Sequence, residues 1–266
     1  MSSIELSRPA DASIAPEVLV NLVSMPQALQ TISQRALARQ GFTLFTVNLD
    51  HIVKLGDAGA FRDAYARADF VSADGWPIVW VMKRAGYDVE RTAGADLLEP
   101  VCRLAADNGM PMYFVGPGPA SQAAGLEILG ERYPGLRIVG AETPKVTEPP
   151  DPDFVAETAR RINASGARIC VLSLGAPKQE LLADALRTRC PDVGFLCVGA
   201  ALDFISGHAI RAPLWMRRAK LEWFWRMIND PLRLTTRYAL CALALGKLVA
   251  PGLFPSAPRL RHADRA

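Results

Sequence analysis

From about residue 26 onward the chain alternates two patterns of apolar and polar positions. Amphipathic stretches, in which apolar side chains return every three or four residues, cover 26–40 (PQALQTISQRALARQ), 58–68, 77–85, 95–108, 120–133, 153–165 and 178–190, and predict helices. Between them lie short, nearly unbroken apolar runs: FTLFTVN (42–48), DFVSAD (69–74), PMYFVG (111–116), LRIVGAE (136–142), RICVLSLG (168–175) and VGFLCVGA (193–200). Strands buried on both faces need such runs, and strands alternating with helices wind into parallel sheets through right-handed crossovers. The expected architecture is α/β, a doubly wound, mostly parallel sheet.

The pattern changes near residue 208. Positions 211–237 interleave seven basic side chains and two acidic ones with Trp215, Trp223, Phe224 and Trp225, whereas the whole 266-residue chain has a net charge of only +3. The stretch that follows, YALCALALGKLVAPGLF, is apolar but short of the ~20 residues a spanning helix needs, with Lys247 inside it. Arginines among tryptophans suit a segment lying on anionic lipid headgroups; packing on the core or a dimer contact would use the same tryptophans. The expected division is a flexible N-terminus (1–20), a core (21–208), a basic, Trp-rich membrane-associating helical appendage (209–254) and a flexible tail (255–266). The first residues lack the basic start and apolar run of a signal peptide, which predicts a cytoplasmic protein. Five cysteines without a C-x-x-C pair predict free thiols, with Cys170 and Cys197 in the core.

Ligands of open parallel sheets bind outside the carboxyl ends of the strands, and small or polar residues gather there. Asp74-Gly75 follows the second run; it reads either as a turn in which Asp74 caps the next helix or as a carboxylate facing a cleft. VGPGPAS imitates a dinucleotide fingerprint through Gly116, Gly118 and the later Glu142, which opens an NAD-dependent oxidoreductase as an alternative. Ser121 replaces its third glycine, and Pro117 and Pro119 remove amides a pyrophosphate would use. SLGAPKQE places Gly175, Lys178 and Gln179 where a helix start favours an anion; the plainer reading makes Pro177 a helix start and Lys178 and Glu180 solvated charges. His51 fits a polar contact or a structural histidine, His208 and His262 look peripheral, and none is assigned to catalysis. No His/Cys/Asp metal-ligand spacing stands out, and no nucleic-acid motif accompanies the basic segment.

In order along the chain, TVN (46–48), ADG (73–75), RTAGADL (91–97), YFVGPGP (113–119), LGAPKQE (174–180) and the segment 198–238 with RAP, LEW and DPLRL resemble the WecG/TagA/CpsF family of bacterial glycosyltransferases. The resemblance implies a Rossmann-like core and an inverting, metal-independent transferase without a cofactor. It would move a hexose or N-acetylhexosamine, or a uronate of one, from a UDP-sugar to a polyprenyl-diphosphate-linked saccharide at the inner membrane surface. Cell-surface polysaccharide is the product to which such transfers lead. By the same resemblance Asp74 is the general base, and Thr46, Asn48, Arg91 and Gln179 line the substrates. Gly175, Lys178 and Asp203 lie near the nucleotide. From its own place at a strand end Gly116 joins them, its amide and that of Gly175 facing the diphosphate, and the basic, Trp-rich composition assigns Arg211, Arg217, Arg218 and Trp223 to membrane or diphosphate contact. Val47 and the Asp50-His51 pair depart from the family's usual residues, so the sugar does not transfer with the motif. A homo-oligomer is compatible with this reading, as is a non-catalytic membrane-bound scaffold of a polysaccharide assembly complex.

Overall fold

The computed structural model describes residues 16–249, apart from residues 58 and 230. Its sheet comprises β1 (Phe42–Val47), β2 (Phe70–Ala73), β3 (Met112–Val115), β4 (Ile138–Glu142), β5 (Ile169–Leu172) and β6 (Gly194–Cys197). Every pairing is parallel, in the order β2-β1-β6-β5-β3-β4. The core helices are α1 (Pro16–Leu19), α2 (Met25–Leu37), α3 (Leu49–Leu55), α4 (Ala60–Arg67), α5 (Trp76–Arg84), α6 (Gly94–Asp107), α7 (Pro119–Arg132), α8 (Pro152–Ser165), α9 (Lys178–Arg187) and α10 (Ala201–Ile205). This is the α/β Rossmann-like fold expected.

Two cores result, one on each face, because successive strand side chains alternate. Phe45, Val47, Val71, Val115, Leu172 and Phe195 pack with α3, α4, α5, α8 and α9, while Phe42, Leu44, Phe114, Val171 and Leu196 pack with α2, α6, α7 and α10. All six residues of β1 are buried, which explains the unbroken apolar run; each large side chain so buried contributes about 1.5–3 kcal/mol. Local signals set the helix ends: in α8, Asp151 accepts from the amides of Asp153 and Phe154, and Gly166 at φ +69 stops the helix.

Two features depart from the sequence reading. The expected flexible N-terminus is ordered where it is described: Pro16–Leu19 is helical, and Leu19 and Val20 are buried; residues 1–15 lie outside the described residues. Helix α3 fills the stretch after β1, where the pattern suggested no element. Beyond the core, α11 (Leu214–Arg218), α12 (Glu222–Asn229) and α13 (Pro231–Val249) form the expected helical appendage, and α13 packs against α3 and α5. Among the described residues no helix is long and apolar enough to cross a membrane. The expected tail over 255–266 falls outside the described residues.

Candidate active site

The strand pairing explains which residues meet. Val47 and Ala73 are register partners at the ends of β1 and β2, so Asn48 and Asp74, one residue further, emerge side by side. The Asp74 amide bonds the Val47 carbonyl at 2.8 Å. One step on, Thr92 N bonds the Ala73 carbonyl at 2.8 Å, which brings Arg91 to the same place. The chain then turns into α6 through Gly94, where an added Cβ would lie 2.8 Å from Val198 Cα; only glycine permits that approach to the end of β6.

Together with the appendage these residues enclose a cavity of about 430 Å³. Asn48, Asp74 and Arg91 line it from the core, and Arg211, Trp223 and Arg237 from the appendage. The N-cap of α5 is Gly75, at φ +100, and Asp74, the residue before it, lines the cavity. Asn48 caps α3, its Oδ1 accepting from His51 N at 3.1 Å.

Charges join the two walls. Asp96, in the first turn of α6, accepts from Arg91 and from Arg211 Nη2, the latter at 2.6 Å, and Arg211 also lies 5.5 Å over the Phe204 ring. Asp50 stands 2.9 Å from Lys54 Nζ and 2.9 Å from Arg237 Nε. Lys220 lines the cavity mouth with its ammonium 4.5 Å from the Trp76 ring centroid, on a backbone at φ +64. Asp50, Asp96, Lys220 and Arg237 were missed as site residues. Asp96 sat within RTAGADL, but its position there reads locally as a helix start.

Other expected site residues lie elsewhere. Thr46 is buried in β1 and does not line the cavity; its carbonyl accepts from Tyr65 Oη and His51 Nδ1, each at 2.7 Å. Because that carbonyl can only accept, His51 carries its proton on Nδ1. Burial pushes the ring down to about 4, so it is a neutral structural histidine. Gln179 is buried and bonded at both ends, to Glu180 Oε1 at 2.8 Å and to Gly199 N at 3.0 Å, and is likewise absent from the cavity wall. Glu180, far from being a solvated charge, is fully buried, and burial pushes its carboxyl up to about 7.

Gly116, Gly175, Lys178 and Asp203 stand at the carboxyl ends of β3, β5 and β6, apart from the cavity lining. A Cβ at Gly116 would lie 2.7 Å from the Ser173 carbonyl oxygen, so the packing of two loops already demands glycine there, without any pyrophosphate. Pro177 is the N-cap of α9, which makes Lys178 its first residue, and Asp203 accepts from Ser121 Oγ at 2.7 Å. Arg217 and Arg218, in the last turn of α11, do not line the cavity. His208 is exposed and bonded to Ser206; His262 lies outside the described residues. All five cysteines are free and buried. No group of three or more His, Cys, Asp or Glu among the described residues could hold a metal ion.

A paired-arginine cavity over strand ends, roofed by a basic appendage, is an arrangement in which an anionic substrate can be held and a proton removed. The model of the glycosyl transferase WecG/TagA/CpsF family matches residues 14–254. The chain belongs to that family. It is therefore a glycosyltransferase of cell-surface polysaccharide synthesis, and the resemblance read from the motifs extends over core and appendage together. The oxidoreductase and scaffold alternatives fall with that assignment. Within the transferase, the match runs through all the strand ends described above and through the arginines facing them.

Proposed function

We propose that the protein transfers a hexose or N-acetylhexosamine, or a uronate of one, from a UDP-sugar to a polyprenyl-diphosphate-linked saccharide, with inversion, and that Asp74 is the general base. The observation that carries this reading is the placement of Asp74 in the cavity wall, beside Asn48 and one residue before the N-cap of α5. The acceptor hydroxyl attacks the anomeric carbon from the face opposite UDP. Asp74 takes its proton as the new bond forms, and the sugar–phosphate bond breaks with its electron pair leaving on UDP. Arg91 and Arg211, held together by Asp96, meet the charge that develops on the departing diphosphate. The loops carrying Gly116, Gly175, Lys178 and Asp203 receive the nucleotide at the sheet's carboxyl edge.

The lipid-linked acceptor places the reaction at the cytoplasmic face of the inner membrane. Trp215 (65% exposed), Leu232 (96%) and Leu243 (65%) present an apolar surface on the appendage among its arginines, suited to headgroup-level contact. Replacing these three by serine is expected to abolish sedimentation with anionic vesicles; unchanged sedimentation would sink the membrane reading.

The test of the chemistry is Asp74→Asn, assayed with UDP-sugars and a lipid-diphosphate acceptor. Turnover should fall by about 10²–10⁴, the range for losing a general base, while calorimetry with UDP gives unchanged affinity. Near-normal turnover rejects Asp74 as the base.

A further inference from the structure

Behind the strand ends lies a set of buried polar groups that the proposed chemistry leaves unused. Glu180 is 0% exposed in the first turn of α9; its Oε1 accepts from Gln179 Nε2, and its Oε2 is buried with no hydrogen-bond partner. The Gln179 oxygen accepts from the Gly199 amide at 3.0 Å. The carboxamide is thus spent at both ends, joining the helix that follows β5 to the turn that follows β6. That turn leads into α10, whose Asp203 is bonded to Ser121 of α7.

We infer that Glu180 is a positioning residue of the transfer site: through Gln179 it holds the Gly199 turn, and with it α10 and Asp203, against the loop that follows β5. The role of this rim in binding a nucleotide rests on the proposed function above; the tether itself rests on geometry alone.

The tether is built for a neutral carboxyl. Burial is the main cause that raises it; the bond from Gln179, Glu180's own backbone amide and Lys54 of α3 work the other way, and Asp50 of α3 adds to the rise. Tyr65 of α4 and Cys197 of β6 also face it, both pushed up by burial and then by Glu180 itself. Tyr65 in turn bonds His51 at 3.0 Å, and Arg67 of α4 pairs with Asp184 further along α9. Ionising Glu180 creates a buried anion with one oxygen unmet, a costly state unless the group is hydrated or paired. Water entering the first turn of α9 relieves that cost and loosens Gln179 from Gly199.

Amide exchange at Gly199 in the full-length protein, corrected for the intrinsic pH dependence, decides the matter. Wild-type protection should fall about tenfold between pH 6 and pH 8, as linkage to one buried proton requires. Glu180→Gln, neutral at every pH, should show no such fall, and Gln179→Ala should lack the protection at both values. Equal wild-type protection at the two pH values overturns the inference, and so does Glu180→Gln following the wild-type curve. If Glu180→Gln does not fold, the wild-type comparison still decides. A second arm follows KM for the UDP-sugar, expected to rise from pH 6 to pH 8 in wild type with little change in kcat, and to stay level in Glu180→Gln. A wild-type KM that stays level while Gly199 loses protection overturns the link from tether to nucleotide. Should UDP not bind the wild type at all, the donor reading falls, while the exchange experiment still judges the tether.

Discussion

Two rims of the same sheet use polar residues in opposite ways. At the ends of β1 and β2, charged side chains face a cavity and pair across it with the appendage, as Asp96 does with Arg211 and Asp50 with Arg237. At the ends of β3, β5 and β6, polar side chains are spent on neighbouring loops: Gln122 Nε2 on the Gly116 and Glu142 carbonyls, each at 2.9 Å, Gln179 on Gly199, and Ser121 on Asp203. The first rim is complete only with residues beyond 208 in place; the second is complete within the core. Groups that face the cavity and groups that fix loop geometry thus occupy adjacent stretches of one edge.

Removing one tie from each rim should separate their roles by the largest margin. Asp96→Asn leaves two arginines facing each other with no carboxylate between them. It should lower kcat/KM by about 10², equivalent to about 3 kcal/mol, because truncating one partner of a part-buried charge pair costs on that order. Gln122→Ala takes its bond from the Gly116 carbonyl and one of two bonds from the Glu142 carbonyl, which keeps the Gly116 amide, and should cost about 1–3 kcal/mol of stability in urea unfolding, with kcat changed less than in Asp96→Asn. If Gln122→Ala loses turnover as steeply as Asp96→Asn, the two rims do not divide the work.

Proton linkage offers a second, comparable test. His51 titrates near 6.5 when unfolded and about 4 when folded, so its contribution is present above pH 6.5 and lost as pH falls towards 4. Glu180 runs the other way: raised from 4.5 to about 7, it favours the folded state at low pH and loses that advantage as pH rises towards 7. Between pH 4.5 and 6.5 these two groups cancel, since the unfolded chain holds the proton on His51 and the folded chain on Glu180. Glu180→Gln removes one side of the balance, and its stability should fall by about 1.4 kcal/mol per pH unit on acidification through that window. Parallel wild-type and Glu180→Gln curves would remove Glu180 from the balance.

The strands were legible because burial on both faces writes itself as an apolar run, and each of the six expected runs contains one strand. Helix α3 was not legible, because seven residues directly after a strand are too short for a periodicity to declare itself. The insertion of β6 between β1 and β5 is set by tertiary pairing and leaves no local mark. Asp74 and Asn48 could be named because strand ends are where ligands bind, and Arg91 through the family's motif. Asp96 and Arg237 could not, since their pairing across the cavity, with Arg211 and Asp50, spans more than a hundred residues of chain. The apolar stretch of α13 was read for its exposed face; its other face, through Leu234 and Cys241, is buried.

The smallest expected effect concerns how the appendage turns. Helix α8 in the core ends at Gly166, φ +69, whereas α11 ends with Lys220 in the same left-handed region, φ +64. There the Leu221 amide bonds the Met216 carbonyl at 2.9 Å, and the Lys220 amide the Arg217 carbonyl at 3.1 Å, the bond pair that usually carries glycine. Lysine pays about 1–2 kcal/mol for that backbone. Its ammonium over Trp76 returns about 0.5–1 kcal/mol at an exposed site. Lys220→Gly relieves the first and forfeits the second, so Tm should move by no more than about 4 °C, the shift that about 1 kcal/mol produces in a domain of this size. A larger fall would mean that the Lys220–Trp76 contact ties α11 and α12 to the core more strongly than an exposed ammonium–ring pair does. The appendage would then depend on one side chain for its placement, where the β3–β5–β6 rim spreads the task over Gln122, Gln179 and Ser121.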